Sequence, residues 1–191
     1  MIIVICLELV CWKPSRRHSA NREPTQFVIG ITNYDRCEQK YWLITEIDNP
    51  MPLEELLSKI MPWIPKPLLI FKTRKGYHIY WNFASDNPTK IFHYGMKELV
   101  KLGLADKHHL KLARARAGEL DGSLKWKLIL RISPKYASPD IKPVYVAKRL
   151  PLWHSEVLLL AGLVNANPGV RDMLLDRCIR VMEELPYLAC F

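Results

Sequence analysis

The chain contains 191 residues, of which 49% are hydrophobic, and it carries a formal net charge of +9. This hydrophobic content suffices for one sizeable core, so it excludes an intrinsically disordered protein and predicts a single domain. The positive charge favours a polyanionic partner such as nucleic acid, although charge alone does not identify one.

The N-terminal third is predicted to form a set of strands. They cover the segments 1–10, 27–32 and 40–47. We expect the strand at 40–47 to pair antiparallel with the strand at 27–32. The basic loop 13–22 between the first two strands holds Arg16 and Arg17, which are candidate nucleic-acid contacts. The alternative is a solvated surface loop with no ligand.

A pair of carboxylates ends the apolar strand at 41–48. Glu46 and Asp48 are two positions apart, so both side chains lie on one face of the strand. Oxygen ligands in this arrangement suit Mg²⁺ or Mn²⁺ and leave coordination positions open for substrate phosphates. The alternative is that both are solvated charges at a strand end, before the turn that opens a helix at 53–60.

The segment 72–81 is the most informative in the chain. It follows a buried strand at 67–71, concentrates cationic side chains, and contains Gly76, which allows a sharp turn into a second strand at 77–83. Cations at a strand exit are typical of phosphate binding, whereas the alternative is a solvated hairpin with one histidine. The candidate nucleotide-binding residues here are Lys72, Arg74, Lys75 and His78.

The C-terminal half is predicted to alternate helices and strands. A helix is expected at 87–102, strands at 125–132 and 144–147, and two helices beyond Pro151. The basic segment 107–116 is expected to be a short helix or strand facing phosphates. Its candidate nucleic-acid contacts are Lys111, Arg114 and Arg116. His108 and His109 are adjacent and therefore poorly placed to share one metal.

The cysteines show none of the paired spacings that zinc ribbons or fingers require, which favours buried free thiols. Their odd number and the lack of a secretory signal predict a reducing, cytoplasmic location. The apolar opening of the chain is too short to cross a membrane, so no membrane partner is expected.

The order of these motifs resembles the catalytic core of the archaeo-eukaryotic primases, including the small primase-polymerases of archaeal plasmids and viruses. Glu46 and Asp48 match the acid-x-acid first motif of that superfamily, and the run 75–78 matches the end of its second motif, Gly-x-His. The family's serine in the second motif is replaced by Lys72 and Thr73. For the acid of the third motif, Asp121 before the strand at 125–132 is one choice and Asp106 is the other.

The resemblance implies an α+β fold with an RRM-like, mostly antiparallel sheet and helices on one face. Residues 1–150 would form the catalytic core, and 151–191 a helical extension packed on it. It further implies a DNA-replication enzyme that adds nucleotides to a 3′-hydroxyl on a DNA or RNA template. The alternative is a catalytically inactive relative that acts as an accessory subunit or binds single strands.

The resemblance also implies the roles of the site residues. Glu46, Asp48 and Asp121 would hold two Mg²⁺ or Mn²⁺ ions. Arg131 and Lys135, at the end of the strand at 125–132, would join the cations of the second motif on the nucleoside triphosphate. Expected partners are a single-stranded template, nucleoside triphosphates, and a replicative helicase or second primase subunit.

Overall fold

The computed structural model describes residues 6–12, 27–117, 127–135 and 140–184. Its strands form two antiparallel sheets. The three-stranded sheet contains, in spatial order, β1 (Leu9–Trp12), β2 (Val28–Thr32) and β7 (Ile129–Arg131). The five-stranded sheet contains, in spatial order, β3 (Tyr34–Asp35), β4 (Lys40–Ile47), β6 (Tyr77–Ser85), β5 (Pro67–Lys72) and β8 (Lys142–Val146).

The helices of the described residues are short in the middle of the chain and longer at its C-terminal end. They are α1 (Leu53–Ile60), α2 (Pro88–Lys90), a π-helical turn (Ile91–Met96), α3 (Lys97–Lys101), α4 (Lys107–Ala117), α5 (Leu152–Ala166) and α6 (Pro168–Glu184). Asn87 caps the first of the three consecutive helical segments by accepting a hydrogen bond from the backbone N–H of Thr89. No helix within the described ranges combines the length and apolar character needed to cross a membrane.

The predicted α+β class, with antiparallel strands and helices at the C-terminus, is confirmed. The predicted pairing of the second strand with the strand at 40–47 is wrong, because β2 pairs with β1 and β7 while β4 pairs with β3 and β6. The buried Asn33 marks the point where the chain leaves one sheet for the other. Its side chain donates to the Trp42 carbonyl and accepts from the Leu128 N–H, so it joins both sheets.

The prediction of free thiols is wrong for four of the five cysteines. Disulfides join Cys6 to Cys37 and Cys11 to Cys178, and Cys190 lies outside the described residues. The first bridge ties the segment before β1 to the β3–β4 turn, and the second ties β1 to α6. Because these sulfurs are paired, the argument from free thiols to a reducing compartment no longer holds.

Helix α5 shares the core of the sheets. Trp153 is fully buried and stacks on Trp42 at 6.3 Å between ring centroids, and its indole N–H donates to the Tyr34 carbonyl. His154 lies edge-on to the ring of Trp42 at 4.5 Å. The first of the two C-terminal helices therefore packs directly on the strand that carries the acid pair.

Candidate functional site

The β5–β6 turn lies against the end of β4, and Gly76 makes this approach possible. A Cβ atom at this position would come within 1.7 Å of the Ile47 carbonyl oxygen. Thr73 supports the turn because its hydroxyl accepts the Gly76 N–H and its own N–H donates to the Gly76 carbonyl. The glycine of the second motif thus brings that motif against the first one, one residue from Glu46.

Glu46 and His78 are direct neighbours on adjacent strands. They are register partners in the β4–β6 pair, and the His78 Nε2 lies 3.5 Å from the Glu46 Oε1. Burial by itself would raise the pKa of Glu46, but His78, followed by His109 and Arg131, lowers it to about 2. Glu46 is therefore ionised at neutral pH, and its partly exposed side chain has His78, His109 and Arg131 nearby.

The burial of His78 differs from the sequence-based expectation. We expected a histidine that faces the nucleotide rather than a buried one, and the residue is 3% exposed. The side chain points from β6 toward Glu46 because inward positions alternate along the strand. A nucleotide contact of His78 remains a prediction.

Asp48 lies near two other carboxylates, those of Glu46 and Asp106. Burial raises the pKa of Asp48, the charges of Glu46 and Asp106 raise it further, and Lys75 opposes them. The Lys75 Nζ lies 3.9 Å from the Asp48 Oδ2, with both side chains substantially exposed, so this ion pair is weak. A divalent cation would relieve the mutual repulsion of these carboxylates.

The structure describes one of the two candidate third acids, Asp106. Its backbone N–H donates to the Glu46 carbonyl at 2.6 Å, and its charge acts on Asp48. Its Oδ1 accepts the His108 N–H at 2.5 Å, so the residue also caps α4. Asp121, the other candidate and the one assigned to the metal site from the sequence, lies outside the described residues.

Arg131 reaches the site from β7, which belongs to the three-stranded sheet and not to the sheet that contains Glu46. Its guanidinium is already engaged, because Nη1 and Nη2 donate to the two carboxylate oxygens of Asp140 at 2.8 and 2.9 Å. Lys135 is close by: burial lowers its pKa, and so do the charges of Arg131 and Lys75. Three of the predicted phosphate-binding cations, Arg131, Lys75 and Lys135, therefore lie near enough for their charges to interact.

The remaining predicted cations have different surroundings. Lys72 lies over the ring of Tyr77, with its Nζ 4.1 Å from the centroid, and Arg74 is exposed at the turn. Lys111 and Arg114 are exposed on α4. Arg116 belongs to α4, but its side chain is not among those described, and Arg16 and Arg17 lie outside the described residues.

Sequence reasoning missed three contributors to this site. Asp140 lies within the Pro- and Lys-rich segment 133–143 and gave no signal, because its importance depends on contact with Arg131. His109 was set aside as a metal ligand, yet it is buried, its Nε2 lies 3.1 Å from the Ile129 carbonyl oxygen, and it lowers the pKa of Glu46. Thr73 was regarded only as a replacement for serine, although its turn contacts were predictable from its spacing to Gly76.

The carboxylate oxygens of Glu46, Asp48 and Asp106 are the kind of ligand that a hard divalent cation prefers. Their side chains, however, do not converge on one point. Within the described part of the chain, only Cys6, Asp35 and Cys37 bring three potential ligand atoms within 4.8 Å of one another. The two sulfurs of that group form a disulfide, so they are not thiolate ligands in this state. Glu46, Asp48 and Asp106 instead contact His78, Lys75 and the start of α4. Ion binding would require their side chains to turn toward a common centre.

Comparison of the chain with protein-family models, with curated proteins and with solved structures finds no match. The resemblance to the primase superfamily therefore depends on the motifs and their order.

Proposed function

We propose that this protein is a metal-dependent nucleotidyltransferase of the primase-polymerase type, which extends a 3′-hydroxyl on a nucleic-acid template. The observation that carries the proposal is the arrangement at the end of β4. Glu46 faces His78 across the strand pair, while the charge of Asp106 reaches Asp48. The acid pair, His78 and Asp106 come from three separate parts of the chain, and their order along the sequence matches that of the primase motifs.

The acids would hold the metal and the nearby cations would hold the triphosphate. Bound Mg²⁺ or Mn²⁺ would lower the pKa of the attacking 3′-hydroxyl and neutralise charge on the leaving pyrophosphate. Glu46 is ionised at neutral pH, so it is ready to act as a ligand without first losing a proton. Lys75 and Lys135 lie beside Asp48, where their charges would orient the phosphates.

A primer-extension assay with Mn²⁺ tests the proposal. Glu46→Gln, Asp48→Asn and Asp106→Asn should each lower the extension rate at least about 100-fold. Each removes a carboxylate that would hold the metal ion, and a bound ion stabilises the charge of the transition state by several kcal/mol. Asparagine is also a good helix cap, so Asp106→Asn removes the charge and keeps the start of α4. Glu54→Gln, at an exposed position of α1, is the matched control and should retain activity.

The same assay decides between the two candidate third acids. Asp121→Asn should leave the rate near that of the wild type if Asp106 completes the site. A loss of activity in Asp121→Asn together with an active Asp106→Asn would reverse that assignment. Wild-type protein with no extension or de novo synthesis under any metal condition would refute the enzymatic proposal.

The second candidate function is an inactive primase-fold protein that binds single strands. The observation that favours it is the separation of the carboxylates, which fall outside the 4.8 Å grouping found at Cys6, Asp35 and Cys37. This candidate predicts strand binding that is insensitive to Glu46→Gln and Asp48→Asn, with no nucleotide transfer. Measuring binding and extension on the same preparations separates the two functions.

A further inference from the structure

Helix α4 has two different faces. His109 and Ala113 are buried on its inner side. Lys107, Lys111 and Arg114 are exposed, and their spacing of four and then three residues aligns them along one side of the helix. We call these three residues the α4 ridge. It extends along the helix for roughly 10 Å, the rise of seven helical residues.

The charges of α4 do not serve the stability of the helix. Lys107 and His108 stand in its first turn, where the helix dipole disfavours positive charge, and Lys107 and Lys111 are like charges one turn apart. The described part of α4 itself contains no acidic residue, although Asp106 caps its start.

Two surface lysines on other helices are paired with acids. Lys59 contacts Glu55 on α1, and Lys101 contacts Glu98 on α3, each at 2.6 Å. Within the described ranges, no residue of the α4 ridge takes part in a salt bridge of this kind. An uncompensated line of cations that weakens its own helix is suited to an external polyanion.

The position of the ridge indicates which polyanion. Helix α4 begins directly after Asp106, whose backbone N–H donates to the Glu46 carbonyl, so the ridge starts beside the acid pair and leads away from it. We propose that the α4 ridge binds the sugar–phosphate backbone of a single-stranded nucleic acid that leads into the site. The choice of a single strand rests on the proposed function, since a template must be unpaired to be copied.

The test measures binding of a labelled single strand over a range of salt concentrations. The triple variant Lys107→Ala, Lys111→Ala, Arg114→Ala should bind at least about tenfold more weakly at low salt. The slope of log affinity against log salt should fall by about 2, since each phosphate contact on a single strand contributes about 0.7. Alanine is favourable in helices, so α4 should remain folded, which circular dichroism verifies.

The matched control removes the same charge from other helices. The triple variant Lys59→Ala, Lys97→Ala, Lys101→Ala also lowers the net charge by three, and it should retain most of the affinity and salt slope. Equal losses in both triple variants would overturn the proposal, because the ridge would then act only through net charge. Unchanged binding in the α4 variant would also overturn it.

Further measurements compare DNA, RNA and duplex as ligands, and separate the ridge proposal from the proposed enzymatic function. DNA and RNA single strands of the same sequence share the backbone chemistry, and their comparison identifies the preferred sugar. A clear preference for duplex would overturn the choice of a single strand. If the wild type extends no primer yet the α4 variant still loses binding, the ridge is supported and the enzymatic proposal alone fails.

Discussion

The Cys11–Cys178 disulfide should be a major source of stability, and its removal is a direct perturbation. The bridge closes a loop of 167 residues between β1 and α6. In the chain-entropy description, a loop of this length restricts the unfolded chain by about 5 kcal/mol, near the upper end of measured disulfide contributions. The Cys6–Cys37 bridge closes 31 residues, for which the same relation gives about 3.7 kcal/mol.

Thermal unfolding with and without a reductant measures these contributions. For a chain of this size each kcal/mol corresponds to about 2–4 °C, so Cys11→Ser with Cys178→Ser should lower Tm by roughly 10–20 °C. Cys6→Ser with Cys37→Ser should lower Tm by less, because its loop is shorter. Cys190→Ser is the control, since that cysteine belongs to neither bridge and its replacement should leave Tm unchanged.

Chemical reduction and replacement of the cysteines should give consistent results. A reductant should lower the Tm of the wild type and have little further effect on a variant that lacks both bridges. Non-reducing peptide mapping identifies the cysteine pairs independently. If mapping finds four free thiols, or if the reductant leaves the wild-type Tm unchanged, the assignment of these bridges as structural elements is wrong.

Three further predictions concern the site and the core. Gly76→Ala should destabilise the protein by at least about 2 kcal/mol in chemical unfolding, since the added Cβ would overlap the Ile47 carbonyl. Gly162, at an exposed position of α5, has open space around it, so the control Gly162→Ala should stabilise the protein by about 0.5–1 kcal/mol. Burial and then the charge of Lys40 lower the pKa of His154 to about 3. The unfolded chain binds this proton below pH 6.5, so stability should fall by about 1.4 kcal/mol per unit as pH drops from 6.5 toward 3. His154→Phe should reduce that slope in pH-dependent melts, and an unchanged slope would show that other groups cause it. Mn²⁺ should raise the Tm of the wild type by mass action and not that of Glu46→Gln with Asp48→Asn; a full response in the double variant would mean that the ion binds elsewhere.

Patterns that depend on near neighbours in the chain were predicted well. Helix α1, the strand that ends in the acid pair, the turn at Gly76 and the two C-terminal helices all follow from periodicity and turn chemistry within short windows. The acid pair at positions 46 and 48 likewise follows from a short window, although β4 ends at Ile47 and the shared face of the two side chains stays a prediction. For this reason the acid pair and the basic turn were recognisable as candidate chemistry before any fold was known.

Features that depend on contacts between distant residues were decided by the tertiary structure. The division into two sheets relies on Asn33, which bonds to residues 9 and 95 positions away. The disulfides, the engagement of Arg131 by Asp140, and the placement of Asp106 beside Glu46 are all of this kind. The burial of His78 is also non-local, since it arises from packing between strands and not from the polarity of its own segment. Local sequence determines what a segment can form, but the partners of a side chain are set by which segments meet, and that outcome depends on the packing of the whole core.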